Sequence, residues 1–273
     1  MITNAILSNS AAANNAGPNE SQTAFECGRL LLDHTNRVGR ALEGFRVFGF
    51  GWLRPWIAYS VSPVITRLVP GRIGHFNGFN ARLAECDLYT FANVFLDYPI
   101  AELSNALADV EMVVDLGANV GAFLFLVRRL CEKIGRRVRM VALEPAAENA
   151  AFLRKQPFAD EVEIYQAAAG PSGGTARLVH GANSVTHHLD FSAEGDGELV
   201  QVFSLESLCR QRALVKMDIE GGELAILEHA LPESVRHLVL EWHHRGRPSD
   251  LFPGNWKRIS TDIHGASTWY FRR

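Results

Sequence analysis

The sequence is poor in the features that mark several large classes of protein. Its 273 residues hold four cysteines, Cys27, Cys86, Cys131 and Cys209, spread far apart with no Cys-x-x-Cys pair. That spacing argues against a disulfide scaffold or a cysteine metal site and fits buried thiols in a reducing cytoplasm. Long charge-free apolar runs are also missing. The most membrane-like stretch, residues 52–69, is interrupted by Arg54, Pro55, Pro63 and Arg67, each costly inside a bilayer, so no stable membrane insertion is expected. Basic residues are neither in excess nor striped, with 27 Lys and Arg against 30 Asp and Glu and a net charge of −3. A nucleic-acid footprint is therefore absent. Residues 1–22, rich in Asn, Ser and Ala and without a basic start, read as a disordered tail rather than a signal peptide.

What is present is an ordinary α/β composition, 47% hydrophobic and 21% charged, with two motifs at strand ends. Val113 and Val114 lead into Asp115-Leu116-Gly117-Ala118-Asn119-Val120-Gly121, and Glu144 closes the next apolar run, Met140 to Leu143. A short buried strand, a glycine turn, a helix aimed at that turn and a carboxylate at the end of the second strand describe a nucleotide-cofactor crevice, with the carboxylate suited to a ribose diol. Taken alone, this glycine pattern partly imitates a dinucleotide fingerprint, and a nicotinamide-dependent oxidoreductase remains a reading of it. The second motif, Lys216-Met217-Asp218-Ile219-Glu220-Gly221-Gly222-Glu223, follows another apolar run and places three carboxylates at and beyond a strand end. A cationic cofactor bearing a sulfonium and an α-amino group favours such negative charge, whereas nicotinamide chemistry has no general need of it.

Together, Val114 to Gly121, Leu143-Glu144-Pro145 and Val215 to Gly221 resemble the FkbM family of S-adenosylmethionine-dependent methyltransferases. The resemblance covers about residues 88–241 and includes Asp87-Leu88-Tyr89 through Phe95-Leu96-Asp97-Tyr98 upstream. Ala146 and Ala147 depart from the more usual polar-Pro step after Glu-Pro. The resemblance implies methyl transfer from S-adenosylmethionine, most readily to a hydroxyl of a small molecule such as a sugar, glycolipid or secondary-metabolite intermediate.

Alternating patterns predict strands over 112–116, 138–143, 162–167, 173–180, 199–203, 214–217 and 235–241, helices over 122–134 and 148–155, and a terminal hairpin from 256–260 and 268–271. The economical fold is α/β, a Rossmann-like methyltransferase sheet, mostly parallel with an antiparallel edge. Residues 23–85 read as an N-terminal helical cap and 86–273 as the methyltransferase domain.

Ligands belong beyond the carboxyl ends of the strands. Gly117, Asn119 and Gly121 are expected along the methionine part of the cofactor, Glu144 at the ribose and Gln166-Ala167-Ala168 at the adenine. For Gly117, Gly121 and Asn119 the plain alternative is a tight turn or helix cap. Asp115 has two readings: it accepts backbone N–H bonds in the loop, or it reaches the cofactor's amino group through water. Asp218 is the residue expected nearest the transferred methyl. Glu220 is a further pocket candidate, and Glu223 reads either as a pocket residue or as a charge at a helix N-terminus. Glu241, His243 and His244 close the last core strand, and His243 is the expected general base because imidazole titrates near neutrality. His187 and His188 form a second pair, beside Asn183-Ser184. No ligand spacing among these residues is diagnostic, so no metal is expected. A third reading, a non-catalytic α/β ligand-binding protein, fits poorly with intact Gly117, Gly121, Glu144 and Asp218.

Overall fold

A hairpin precedes the main sheet. Strands β1 (Ile73–His75) and β2 (Asn80–Arg82) pair antiparallel, closed by reciprocal backbone hydrogen bonds between Phe76 and Phe79 at 2.7 and 3.2 Å. The computed structural model describes residues 45–46, 49–52, 57, 73–76, 78–83, 85, 87–179, 188–190, 197–244, 247–252, 254–260 and 268–273. The tail expected over 1–22, nearly all of the expected cap over 23–72, and His187 lie outside these residues. Where the cap region is described at length, it is a β-hairpin rather than helix. Asn77-Gly78 between two phenylalanines is the local signal for such a turn.

Helices α1 (Asp87–Asp97) and α2 (Ile100–Asp109) lead into β3 (Met112–Leu116), all five residues of which are buried. A strand covered on both faces carries apolar residues continuously rather than alternately. Helix α3 (Ala122–Ile134) starts at Gly121 and stops at Gly135, both with left-handed backbone, the C-terminal glycine being a usual helix stop. Strand β4 (Arg139–Leu143), helix α4 (Ala147–Leu153) and strand β5 (Val162–Tyr165) complete the first half.

After β5 the chain leaves the sheet. The strand expected over 162–167 is two strands: β5 alternates between half-buried and exposed at the sheet edge, while β6 (Ala167–Gly170) is wholly buried in a second sheet. Three alanines and a glycine are small enough to lie covered on both faces. The second sheet, in order β6-β9-β7-β8, adds β7 (Gly174–Val179), β8 (His188–Asp190) and β9 (Glu198–Ser204). Helix α5 (Leu205–Leu208) then returns the chain to β10 (Ala213–Met217), helix α6 (Glu223–Leu227) and β11 (Val235–Glu241). The terminal hairpin, β12 (Lys257–Ser260) and β13 (Thr268–Arg272), forms as expected.

The main sheet runs β12-β13-β11-β10-β3-β4-β5, parallel from β11 to β5 and antiparallel at β13 and β12. One face packs on α1, α2 and α3 through Leu103, Leu107, Leu124 and the rings of Phe79, Phe91 and Phe125. The other packs Leu205, Ile226, Trp242 and Trp269. Burial of each large apolar side chain stabilises by about 1.5–3 kcal/mol, so these two layers rather than local propensity hold the sheet. The consequence for function lies in strand order. From β3 the chain first builds outward through β4 and β5, then returns to build β10 and β11 on the opposite side, which puts a topological switch between the C-terminal ends of β3 and β10.

Candidate functional site

The register sets Gly117 beside Asp218, because Leu116 pairs with Met217 and Leu116 also pairs with Leu143 on the other side. The two strand-end loops touch. A Cβ built on Gly117 would stand 1.8 Å from the Asp218 carbonyl oxygen, and the glycine's φ of +74° is itself left-handed. Only glycine fits there. Lys216 fastens the same junction: its ammonium donates to the Gly117 carbonyl at 2.8 Å and stands 3.2 Å from both Asp115 and Asp218. Burial opposes the lysine's charge, yet Asp115 and Asp218 hold its pKa well above the ordinary value. Asp115, fully buried, is pushed up to about 6 by desolvation, with Lys216 pulling against it. The aspartate therefore sits inside the sheet against an ammonium, a partner that neither reading of the sequence supplied.

Glu144 forms the next wall. Its carboxylate accepts from the backbone N–H of Asn119 at 2.7 Å and of Ala146 at 3.0 Å, and from the Asn149 amide at 3.4 Å. A carboxylate has about four acceptor positions, so these three bonds leave capacity for one more donor. Burial raises its pKa from 4.5 to about 7, the backbone donors opposing the shift. Asn119 takes a left-handed φ of 49°, a conformation Asn tolerates. At Gly121 an added Cβ would meet Leu153 at 2.4 Å and Phe158 at 3.2 Å, so this glycine also makes room for the core. Ala167 is buried at the start of β6 among core residues of the sheet's second face. Gln156, nearly buried, donates to the carbonyls of Val120 and Asn80 at 2.9 Å each and so ties the glycine loop to the hairpin.

Beyond β10 and β11 the carboxylates gather around one imidazole. His243 Nδ1 lies 2.9 Å from Glu223 Oε1, and its Nε2 lies 3.7 Å from Glu220, 3.7 Å from Glu241 and 4.0 Å from Asp218. Glu223 has no exposed side-chain surface. It also accepts from the backbone N–H of Ile219 and Gly221 at 3.2 Å and contacts His244 at 3.0 Å. This residue knits the loop and both histidines together, a larger part than a charge at a helix N-terminus. Burial alone would lower the His243 pKa, but Glu223, Glu241, Asp218 and Glu220 push it up to about 11. Those neighbours favour the charged ring, whereas the general base expected at this position has to be neutral to accept a proton. Glu220 is raised to about 7 by burial and by Asp218. Glu241 is raised chiefly by Asp218. Glu220 also holds a positive φ of 52° outside glycine, a strained conformation of the kind that clusters at functional sites.

The structure thus joins Asp115, Gly117, Asn119 and Glu144 on one side of the switch to Asp218, Glu220, Glu241 and His243 on the other. His188 lies in β8, in the second sheet. Lys216 escaped the sequence reading, although a lone cation inside an apolar strand is a signal, since buried lysines are almost always paired. The two readings of Glu223 are not separable in the sequence, because its burial depends on how the chain folds back at residue 243.

Residues 115–255 match the family described as Methyltransferase FkbM domain. No curated protein matches the chain. Solved structures similar to it include precorrin-6y C5,15-methyltransferase from Geobacter metallireducens GS-15, at 16% identity and TM-score 0.33 over 63% of this chain and 84% of that one. Another is a putative RNA methyltransferase, PH1948, from Pyrococcus horikoshii, at 9% identity and TM-score 0.35 over 79% and 98%. A third is the mitomycin 7-O-methyltransferase MmcR, at 13% identity and TM-score 0.31 over 90% and 75%. At those scores the three likenesses carry no structural weight.

Proposed function

The chain belongs to the FkbM family of methyltransferases, and from that premise we propose that it transfers a methyl group from S-adenosylmethionine to a hydroxyl of a small molecule. The observation that carries this reading is the meeting of the Gly117 and Asp218 loops at the switch point, with a buried carboxylate on one side and an anionic rim on the other. The donor set suits the cofactor. Glu144 retains an acceptor position for a ribose hydroxyl, the loop from Gly117 to Gly121 lines the methionine portion, and the carboxylates of Asp218, Glu220 and Glu241 favour a cation. When bound, S-adenosylmethionine supplies an electrophilic methyl carbon activated by its sulfonium.

The chain's own contribution is to position an acceptor oxygen within about 3 Å of that carbon and to take up the hydroxyl proton. Glu220 is the proton acceptor in this scheme, being the most exposed of the four carboxylates around His243, at 38% of its side chain against 25% for Asp218 and 32% for Glu241. His243 holds the rim in place. Isothermal calorimetry with S-adenosylmethionine and, separately, NAD tests the reading. Heat of binding with the first and none with the second is expected; the reverse pattern replaces methyl transfer with hydride transfer.

A further inference from the structure

We propose that Asp218, Glu241 and His243, with Glu220 beside them, form a binding site for a divalent cation of the Mg²⁺ or Mn²⁺ class, and that the methyl acceptor carries a second oxygen next to its reacting hydroxyl with which it joins that cation. The second half rests on the methyltransferase reading; the first stands without it.

Three different strand-end positions supply the donors: Asp218 follows β10, Glu241 ends β11, and His243 lies two residues further on. Their ligand atoms all fall within 4.8 Å of one another. The orientation of the imidazole is fixed from behind, where buried Glu223 holds Nδ1 at 2.9 Å. Metal-bound histidines commonly show this carboxylate on the far nitrogen. What faces forward is unusual for a hydrogen-bonded cluster. Around Nε2 stand carboxylate oxygens of Glu220, Glu241 and Asp218 at 3.7, 3.7 and 4.0 Å, beyond hydrogen-bonding reach of the ring. Donors about 2.1 Å from a shared octahedral ion sit about 3 Å apart when adjacent and about 4.2 Å apart when opposed. At 3.7–4.0 Å from Nε2 the oxygens stand wider than adjacent ligands, so an ion closes the set by drawing these side chains inward.

Charge points the same way. Lys216 is shared between Asp115 and Asp218, which leaves Glu220, Glu223, Glu241 and part of the Asp218 charge against His243, whose Nε2 gives up its proton when the cation takes that place. Mostly oxygen donors with one imidazole suit magnesium or manganese better than the thiolate-seeking metals. About a quarter of the Asp218 and His243 side chains is exposed, so an ion held there keeps positions open to water or to a substrate. An acceptor with two neighbouring oxygens, a vicinal diol or a hydroxyl beside a carbonyl, fills two of them and brings its hydroxyl to the rim where Asp218 meets the Gly117 loop.

The test uses the full chain, stripped with EDTA and titrated with Mn²⁺ while the free ion is followed by electron paramagnetic resonance. One saturable site per chain, displaced by Mg²⁺ and weakened at least tenfold in Glu241→Gln, is expected. Glu163→Gln, which alters a carboxylate paired with Arg139 on β5, should leave the affinity unchanged. Pulsed measurements on the unaltered protein should show a nitrogen coupled to bound Mn²⁺, a readout independent of how any variant folds. Absence of saturable binding, no nitrogen coupling, or equal affinity in Glu241→Gln overturns the site. S-adenosylmethionine heats measured on the same stripped protein keep the two readings apart. Cofactor binding without Mn²⁺ binding sinks the cation alone, and Mn²⁺ binding without cofactor binding sinks the methyltransferase reading and leaves the cation.

Discussion

Two glycines four positions apart do different work at the residue scale, and their substitutions should separate. Gly117→Ala drives a Cβ into the Asp218 carbonyl, backbone that cannot swing aside. It should cost about 3 kcal/mol or more and abolish cofactor binding. Gly121→Ala meets the end of Leu153, a flexible side chain, and should cost about 1–2 kcal/mol with cofactor affinity largely kept. Urea denaturation and calorimetry on both variants check the contrast; equal losses of affinity would show that the two ends of the loop matter alike to the cofactor. Glu144 offers a pH signature. Its folded pKa of about 7 exceeds its ordinary 4.5, so the folded state binds the proton more tightly. This contribution to stability is whole below about 4.5 and declines as pH rises to about 7. Glu144→Gln has no such decline, and the melting temperature of the variant minus that of the unaltered chain should grow more positive across that window. A difference that stays flat with pH would mean that the carboxyl is already ionised.

At the scale of elements, the β1–β2 hairpin is fastened to the catalytic core by charge. Arg82 makes three hydrogen bonds to the fully buried Asp87 carboxylate, at 2.8, 2.8 and 2.9 Å through its backbone N–H and guanidinium, and a fourth to Asn149 at 2.8 Å. Removing one partner of a buried pair strands the other. Arg82→Ala should therefore destabilise by about 3–5 kcal/mol, read by denaturant midpoint; a loss under 1 kcal/mol would mean that water reaches Asp87. The hairpin also shows where sequence reasoning failed. Asn77-Gly78 is a local turn signal, but it falls inside the stretch, 23–85, that reads as a helical cap. The break after Tyr165 was missed for a different reason. An alanine run has no period of its own, and whether Ala167 continues β5 or starts a new strand depends on which sheet has room for small residues. By contrast β3, β10 and β11 were legible because strands buried on both faces must be apolar throughout, and a carboxylate at the end of such a run has little reason to be there except a site.

For the molecule as a whole, ligand linkage gives the broadest check. S-adenosylmethionine at about 100 times its dissociation constant should add about 2.7 kcal/mol to stability, seen as a rise of several degrees in melting temperature, whereas NAD should give none. No shift with either ligand would favour a non-catalytic role. The sequence placed the crevice at the right strand ends yet missed the electrostatic character of its far wall. The reason is that the charge on His243 is decided by Glu223 from the preceding helix and by neighbours from two strand ends. The strand order has a further consequence, for when the crevice comes into being. β3 lies between β4, its early partner, and β10, about a hundred residues later, with Lys216 reaching back to Gly117 across 99 positions. During synthesis the glycine loop emerges long before the segment that closes it, and contacts of such long range form slowly. A nascent chain that ends before residue 218 should therefore be blind to the cofactor, and the ligand should favour folding only once the whole second half has joined the sheet.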